Sequence, residues 1–372
     1  MLKLFHLLKN QLFSPMVVAG IFSLAHLFGT VALQAQTPKY SNEFLSIGVG
    51  ARALGMSGAF VSVASDATAG YWNPAGLTRV DANIQIALMH TEYFAGLAQY
   101  DYGAIAFNLD EKSALGFTFL RFGIDDIPDT SELIDAQGNF RYDLIRSFSA
   151  SDNAFMISYA RMLNDNLSLG VNTKIIRRTA GSFAGAWGFG LDAGVQYSWQ
   201  EWNFALMGRD ITSTFNAWSY QLDDRMREVF TITGNEIPEN SLEITLPRVI
   251  LGASRSFIFA DRLGLLASAD LNITTDGKRN VMFRGDPFSI DPSVGLELNY
   301  NEIIYLRAGI GNYQEYSTPS EKTTQSMQVN MGVGVVIRNV LALDYALTDV
   351  GDNSIALYSN IFSLRFNINR RE

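Results

Sequence analysis

Four groups of residues carry side chains that could do chemistry. Gly48-Val49-Gly50-Ala51-Arg52-Ala53 fits a loose GxGxxA pattern. Such glycines admit a diphosphate when they join a strand to a helix in a parallel sheet. That context is missing here, so no nucleotide or other cofactor is expected. Of the three histidines, His6 and His26 fall in an N-terminal leader, which leaves His90. A hydrolase triad would need a serine and a carboxylate or amide arranged around it. His90 reads instead as a rim or lumen polar residue at the end of the first strand, and no catalytic residue is expected. The acids Asp125, Asp126, Asp129, Glu132 and Asp135, followed by Asp143 and Asp152, form a third group. Calcium takes about six to eight oxygens at a set spacing, which this run lacks. A solvated outer loop is expected, and no metal. The fourth group mixes Phe215, Trp218, Tyr220 and Phe230 with Arg225 and Arg227. Aromatic residues and arginine are enriched at protein interfaces. Both a partner-binding loop and a self-packed loop closing a barrel mouth fit this composition.

The elements that must position these groups are strands. About fourteen can be read between residues 83 and 367, in period-two alternation. Along 187–199 one face reads Trp187, Phe189, Leu191, Ala193, Val195, Tyr197, Trp199, and the other Gly188, Gly190, Asp192, Gly194, Gln196, Ser198. Along 327–338, Met327, Val329, Met331, Val333, Val335 and Ile337 oppose Gln328, Asn330, Gly332 and Gly334. The last strand, 361–369, sets Phe362, Leu364, Phe366 and Ile368 against Ser363, Arg365 and Asn367. Every second connection is tight: 110–113, 163–166, 200–201, 260–261, 301–302 and 338–339. The spans 123–152, 210–246, 274–292 and 313–325 read as long loops. This sorting belongs to an outer-membrane barrel, with tight periplasmic hairpins and longer outer loops.

Periodicity alone does not say which face points inward, and a lipocalin-like soluble barrel has the same alternation. Three features decide. The strands are long enough to cross a bilayer on a tilt. Trp187, Tyr197, Trp199, Tyr300 and Tyr345 fall at or near strand ends, where aromatic girdles sit. The first 35 residues read as a secretory signal, with Lys3 and Lys9 before the apolar stretch 17–33 and cleavage after Ala32 or Ala35. An N-terminal membrane anchor is the alternative reading. The apolar faces should therefore meet lipid. Lys174, Arg178, Asp192, Asp270, Glu297, Asp344 and Arg365 should face the lumen, where they can pair across the barrel or with Arg52.

Composition fits. The chain has 372 residues and a net charge of −9, with 48% hydrophobic, 17% charged and no cysteine. Mean hydropathy is +0.07, too low for a helical membrane protein. No basic patch stands out, so nucleic acid is not an expected partner. The absence of cysteine excludes disulfides and thiolate metal sites.

Residues 36–82 do not read as lipid-facing strand. Gly48, Gly50, Gly55, Met56 and Gly58 sit in a run of small residues, and Asn73-Pro74-Ala75-Gly76 follows. Small residues permit close backbone packing, so this segment is expected to fold back as a lumen plug ahead of a barrel spanning 83–372. The run from Ser46 to Ala59, followed by Gly70-Tyr71-Trp72-Asn73-Pro74-Ala75-Gly76-Leu77, resembles the PorV/PorQ family within the wider FadL-like group of outer-membrane barrels. The resemblance implies a non-enzymatic accessory of type IX protein secretion in the outer membrane. Family members bind secreted cargo, cap the translocon and hand cargo on. The FadL-like alternative is a channel for hydrophobic small molecules. No cargo-binding residue can be assigned by motif.

Overall fold

The computed structural model describes residues 41–133, 139–317, 323–350 and 358–369. The leader and Asp135 lie outside the described residues. Among the described residues sixteen strands form one sheet in which every neighbouring pair is antiparallel. They are β1 (Ile84–Tyr93), β2 (Ala98–Asn108), β3 (Ser113–Asp129), β4 (Arg146–Asn164), β5 (Leu167–Ala180), β6 (Ala184–Trp199), β7 (Trp202–Arg209) and β8 (Thr214–Tyr220). Then come β9 (Ser241–Thr245), β10 (Arg248–Ala260), β11 (Leu263–Thr274), β12 (Ser289–Tyr300), β13 (Ile304–Ser317), β14 (Thr323–Ile337), β15 (Leu341–Val350) and β16 (Ser359–Ile368). Fourteen of these close a ring. β7 pairs with both β6 and β10, and β1 meets β16 from Ile84↔Ile368 to Glu92↔Asn360. β8 and β9 extend the wall beyond that ring, with β8 paired to the end of β6 and β9 paired to β8.

Six connections at one end are tight, and two have a visible local cause. Asn301 and Glu302 both have positive φ, as do Arg338 and Asn339, the backbone that turns a hairpin with the natural strand twist. At the other end the expected pattern needs correction. The long connection read at 123–152 is narrower, 130–145, because β3 continues to Asp129 and β4 starts at Arg146. Likewise β13 and β14 extend to Ser317 and from Thr323. The span 210–246 holds β8, a helix α3 (Asp224–Ile232) and β9. Two connections at this end, 94–97 and 181–183, are as short as those opposite. Alternation of apolar and polar residues marks only the part of a strand that borders lipid. A projecting hairpin with water on both faces has no such pattern to read.

The apolar face points outward. Trp187, Phe189, Tyr197, Trp199, Met331, Val333, Val335, Phe362 and Leu364 are exposed, while the alternate positions are buried. Inside the ring lie residues 41–82, with short helices α1 (Ala51–Leu54) and α2 (Ala69–Trp72) and 3-10 turns at Glu43–Ser46 and Pro74–Arg79. This inner segment supplies most of the large buried apolar side chains, among them Met56, Phe60, Tyr71, Trp72 and Leu77. Val61 packs separately with Ala205, Met207 and Ile250.

Candidate functional site

Where the inner segment meets the wall, glycines on the wall make room for its backbone. A Cβ on Gly170 of β5 would lie 2.3 Å from Ala75 N, and one on Gly194 of β6 would lie 2.0 Å from Asn73 Oδ1. On the opposite side, a Cβ on Gly295 would lie 2.6 Å from Met56 Cβ, and one on Gly309 of β13 would lie 2.3 Å from Met56 C. The Asn-Pro-Ala-Gly motif explains itself here. Asn73 accepts from Ala75 N, capping the turn that Pro74 opens, and donates to Val195 O of β6 at 3.1 Å. Gly76 approaches Ala64 O so closely that a Cβ would sit 2.1 Å from it.

Charged side chains tie the same interface. Arg52 forks onto Glu297, with Nε to Oε2 at 2.8 Å and Nη2 to Oε1 at 2.7 Å. Arg307 donates to Glu297 and to Asp344, each at 2.6 Å. Asp66 accepts from Arg365 at 2.8 Å and lies 3.8 Å from Arg52. Three acids thus alternate with three bases, spanning two residues of the inner segment and four strands of the wall. Burial pushes the Asp66 carboxyl up, but Arg365 and Arg52, with the Thr68 hydrogen bonds, outweigh it and hold it below its ordinary value. Burial opposes the charge on Arg52, and the Glu297 and Asp66 carboxylates more than restore it, so its pKa is raised.

A second cluster sits where β7 breaks into β8. Lys174 reaches Asp192 at 2.8 Å and also Asp210. Arg209 donates to Leu45 O and Tyr71 O at 3.2 and 3.1 Å and covers the Tyr71 ring. Asp270 accepts from the backbone of Phe60 and Val61 at 2.7 and 3.0 Å. The β6–β7 ladder stops at Ala193↔Gly208 and resumes as β6–β8 at Phe189↔Phe215. Asp192 and Asp210 stand at that interruption, and Ile211 N donates across it to Leu191 O.

All seven lumen residues named from sequence, Lys174, Arg178, Asp192, Asp270, Glu297, Asp344 and Arg365, are joined to a partner on the wall or the inner segment. The aromatic group is divided. Trp218 turns inward, donates to Glu243 at 3.0 Å and lies under Arg178, and Tyr220 stacks beside it. Phe215 points outward next to Phe189. Arg225 pairs with Glu228 on α3, Arg227 donates to Leu222 O, and Phe230 is half-buried on the same helix. The acids from the loop group do not converge either. Asp125 faces Arg121, Asp152 holds Arg178, Asp143 holds Arg141, and Asp129 caps Ser131 N.

His90 faces outward on β1, not the lumen, with Nδ1 2.7 Å from Asp101 Oδ1. It belongs to a cross-strand row of Phe362, His90, Asp101, Arg121, Asn153, Arg177 and Trp187. The next row toward the tight turns is apolar, running Leu364, Leu88, Gly103, Phe119, Phe155, Ile175, Phe189. The polar row was hidden in sequence because each strand contributes one residue. Arg307 was also missed, although it shares parity with Gly309 and could have been found from alternation. Asp66 and Arg209 gave no sequence signal.

A closed antiparallel ring with an apolar exterior, a polar wall interior and its connections tightened at one end defines a FadL-like outer-membrane β-barrel. The solved structures agree. The CymD monoaromatic hydrocarbon channel matches with a TM-score of 0.54 at 14% identity, over 88% of this chain and 99% of that one. The Pseudomonas putida toluene transporter TodX matches at 0.54 and 14%, over 86% and 98%. The Ralstonia pickettii toluene transporter TbuX matches at 0.50 and 12%, over 87% and 99%. At such identity the likeness speaks for fold. No curated protein sequence matches. The family described as type IX secretion system protein PorV matches residues 33–216. Through that stretch, which takes in the inner segment and β1 to β7, the chain is similar to the PorV family.

Proposed function

We propose that this protein is a non-enzymatic accessory of type IX secretion that binds exported polypeptides, or caps the translocon, at its outer end. The inner segment then serves as a plug. One observation supports the reading beyond the family match: the inner segment ties Glu43, Arg52 and Asp66 to charges of the barrel. Two cavities touching this interface are small. One of about 10 Å³, room for a single water, lies among Lys174, Asp192, Arg209 and Asp210. Another of about 80 Å³ opens near Tyr305, Val336 and Arg365 at the tight-turn end. Neither offers the apolar volume of a typical ligand pocket, about 300–1,000 Å³.

The second reading, a channel for hydrophobic small molecules, is favoured by the interruption between β6 and β7. The buried, ion-paired Lys174, Asp192 and Asp210 stand at that point. A pull-down of the tagged protein from outer membranes in mild detergent, read for proteins and lipids together, separates the two. Exported proteins sharing a C-terminal domain, or the translocon, are the expected recovery. Apolar small molecules without a stoichiometric protein partner would replace this reading with the channel.

A further inference from the structure

We propose that β9 is an open docking edge onto which an extended segment of an exported polypeptide adds as a strand. Among the described residues β9 is the strand with a single neighbour, β8, in register from Thr214↔Thr245 to Trp218↔Ser241. Among the described residues no backbone bond other than that ladder reaches 241–245. An unpaired edge is a template for another chain, and proteins blunt such edges with prolines, bulges, charges or covering side chains.

The projecting edges of β3, β13 and β4 are blunted or covered. Beyond its last pair with β2, Gln99↔Gly123, β3 carries a bulge at Asp126, then Pro128 and Asp129. Beyond its last pair with β12, Val294↔Ile310, β13 is bulged near Asn312, and Asn280 seals the Glu315 backbone with bonds of 2.8 and 3.0 Å. The β4 edge is closed by Gly181 N donating to Ser149 O. The sequence of β9, Ser-Leu-Glu-Ile-Thr, has no proline, its ladder runs without a bulge, and its one charge, Glu243, is tied inward by Arg178 and Trp218.

The edge is also held rigid from behind. Thr245 Oγ1 accepts from Asn42 Nδ2 at 2.8 Å, and Glu243 carries Arg178 and Trp218. This leaves Leu242 at 57% and Ile244 at 38% exposure on the outward face. A strand fixed on one face, apolar on the other and open along one edge fits an extended chain with alternating apolar residues. Main-chain bonds would supply affinity there, and alternate side chains selectivity. The proposal rests on the secretion reading given above.

The test places a photo-crosslinking amino acid at Leu242 or Ile244 in full-length protein in outer membranes, with Ile127 on the blunted β3 edge as control. Adducts with an exported polypeptide are expected at the β9 positions. The attachment sites for Leu242 and Ile244 should be two residues apart on the partner, as paired strands require. Successive residues aim their N–H groups at opposite edges, so one of Leu242→Pro and Glu243→Pro strikes the open edge. That variant should keep a heat-modifiable barrel and lose roughly two- to tenfold in adduct yield, the worth of one backbone bond. Adducts only with lipid or with a second copy of this chain would overturn the proposal. So would attachment sites without the two-residue step, or equal adducts at Ile127. If exported proteins co-purify yet never attach to β9, the edge fails and the secretion reading stands. If none co-purifies, the secretion reading fails and the edge with it.

Discussion

Glu297 and Leu296 are neighbours on β12 with opposite surroundings. Glu297 is 3% exposed and holds Arg52 and Arg307, whereas Leu296 is 43% exposed on the outward face. The same contrast runs around the ring. Inward charged residues such as Glu297, Asp270 and Arg365 have named partners far along the sequence, whereas most outward residues of the lipid band need only be apolar. The inner face is therefore specified residue by residue, and the outer face as a band. Substitutions should be felt accordingly.

The largest difference should appear at the glycines. Gly309→Leu drives a side chain into the backbone at Met56, and a loss on the order of 4 kcal/mol or more is expected. Ala308→Leu, one residue away on the outward face, should leave the heat-modifiable barrel unchanged. Equal behaviour of the two in gel-shift and denaturant titrations would erase the contrast. Next comes charge. Glu297→Ala leaves Arg52 and Arg307 without their shared carboxylate, and losing one partner of a buried pair costs about 3–5 kcal/mol. Leu296→Ala should cost about 1 kcal/mol or less. The ratio of the two unfolding shifts measures how much more the inner face specifies.

The smallest expected effect is a pH dependence. The folded pKa of Asp66 is depressed, so its contribution is full above the ordinary carboxylate value of 3.8 and is lost as pH falls through the depressed one. Wild type should therefore exceed Asp66→Asn by a constant margin at neutral pH, and the margin should shrink only below about pH 4. A margin that instead shrank between pH 7 and 5 would assign the effect to other groups.

Much of the wall was legible before any coordinates. The tight turns at 200–201, 301–302 and 338–339 and the alternation along β6, β14 and β16 follow from local rules, because a lipid-crossing strand repeats one pattern every two residues. The inward parity of Lys174, Asp192, Asp270, Glu297, Asp344 and Arg365 came from the same rule. Their partners did not. Arg52 meets Glu297 across 245 positions and Asp66 meets Arg365 across 299, and no local pattern encodes such pairings. The extensions of β3, β4, β8 and β9 were hidden for another reason: away from lipid a strand can be polar on both faces. For His90 the sequence left rim and lumen both open, and the structure puts it on the outward face at the edge of the apolar band.

Two bonds to the inner segment come from the last strand. Ser363 accepts from Ala51 N at 3.0 Å, and Arg365 holds Asp66. Along the described chain the segment precedes every strand and β16 follows them, yet each holds bonds that the other completes. Joining β16 to β1 therefore has to trap the segment as it seals the ring, like a lid that latches only over a full box. An assembly factor that inserts this chain would have to hold the seam open until the contents are in place.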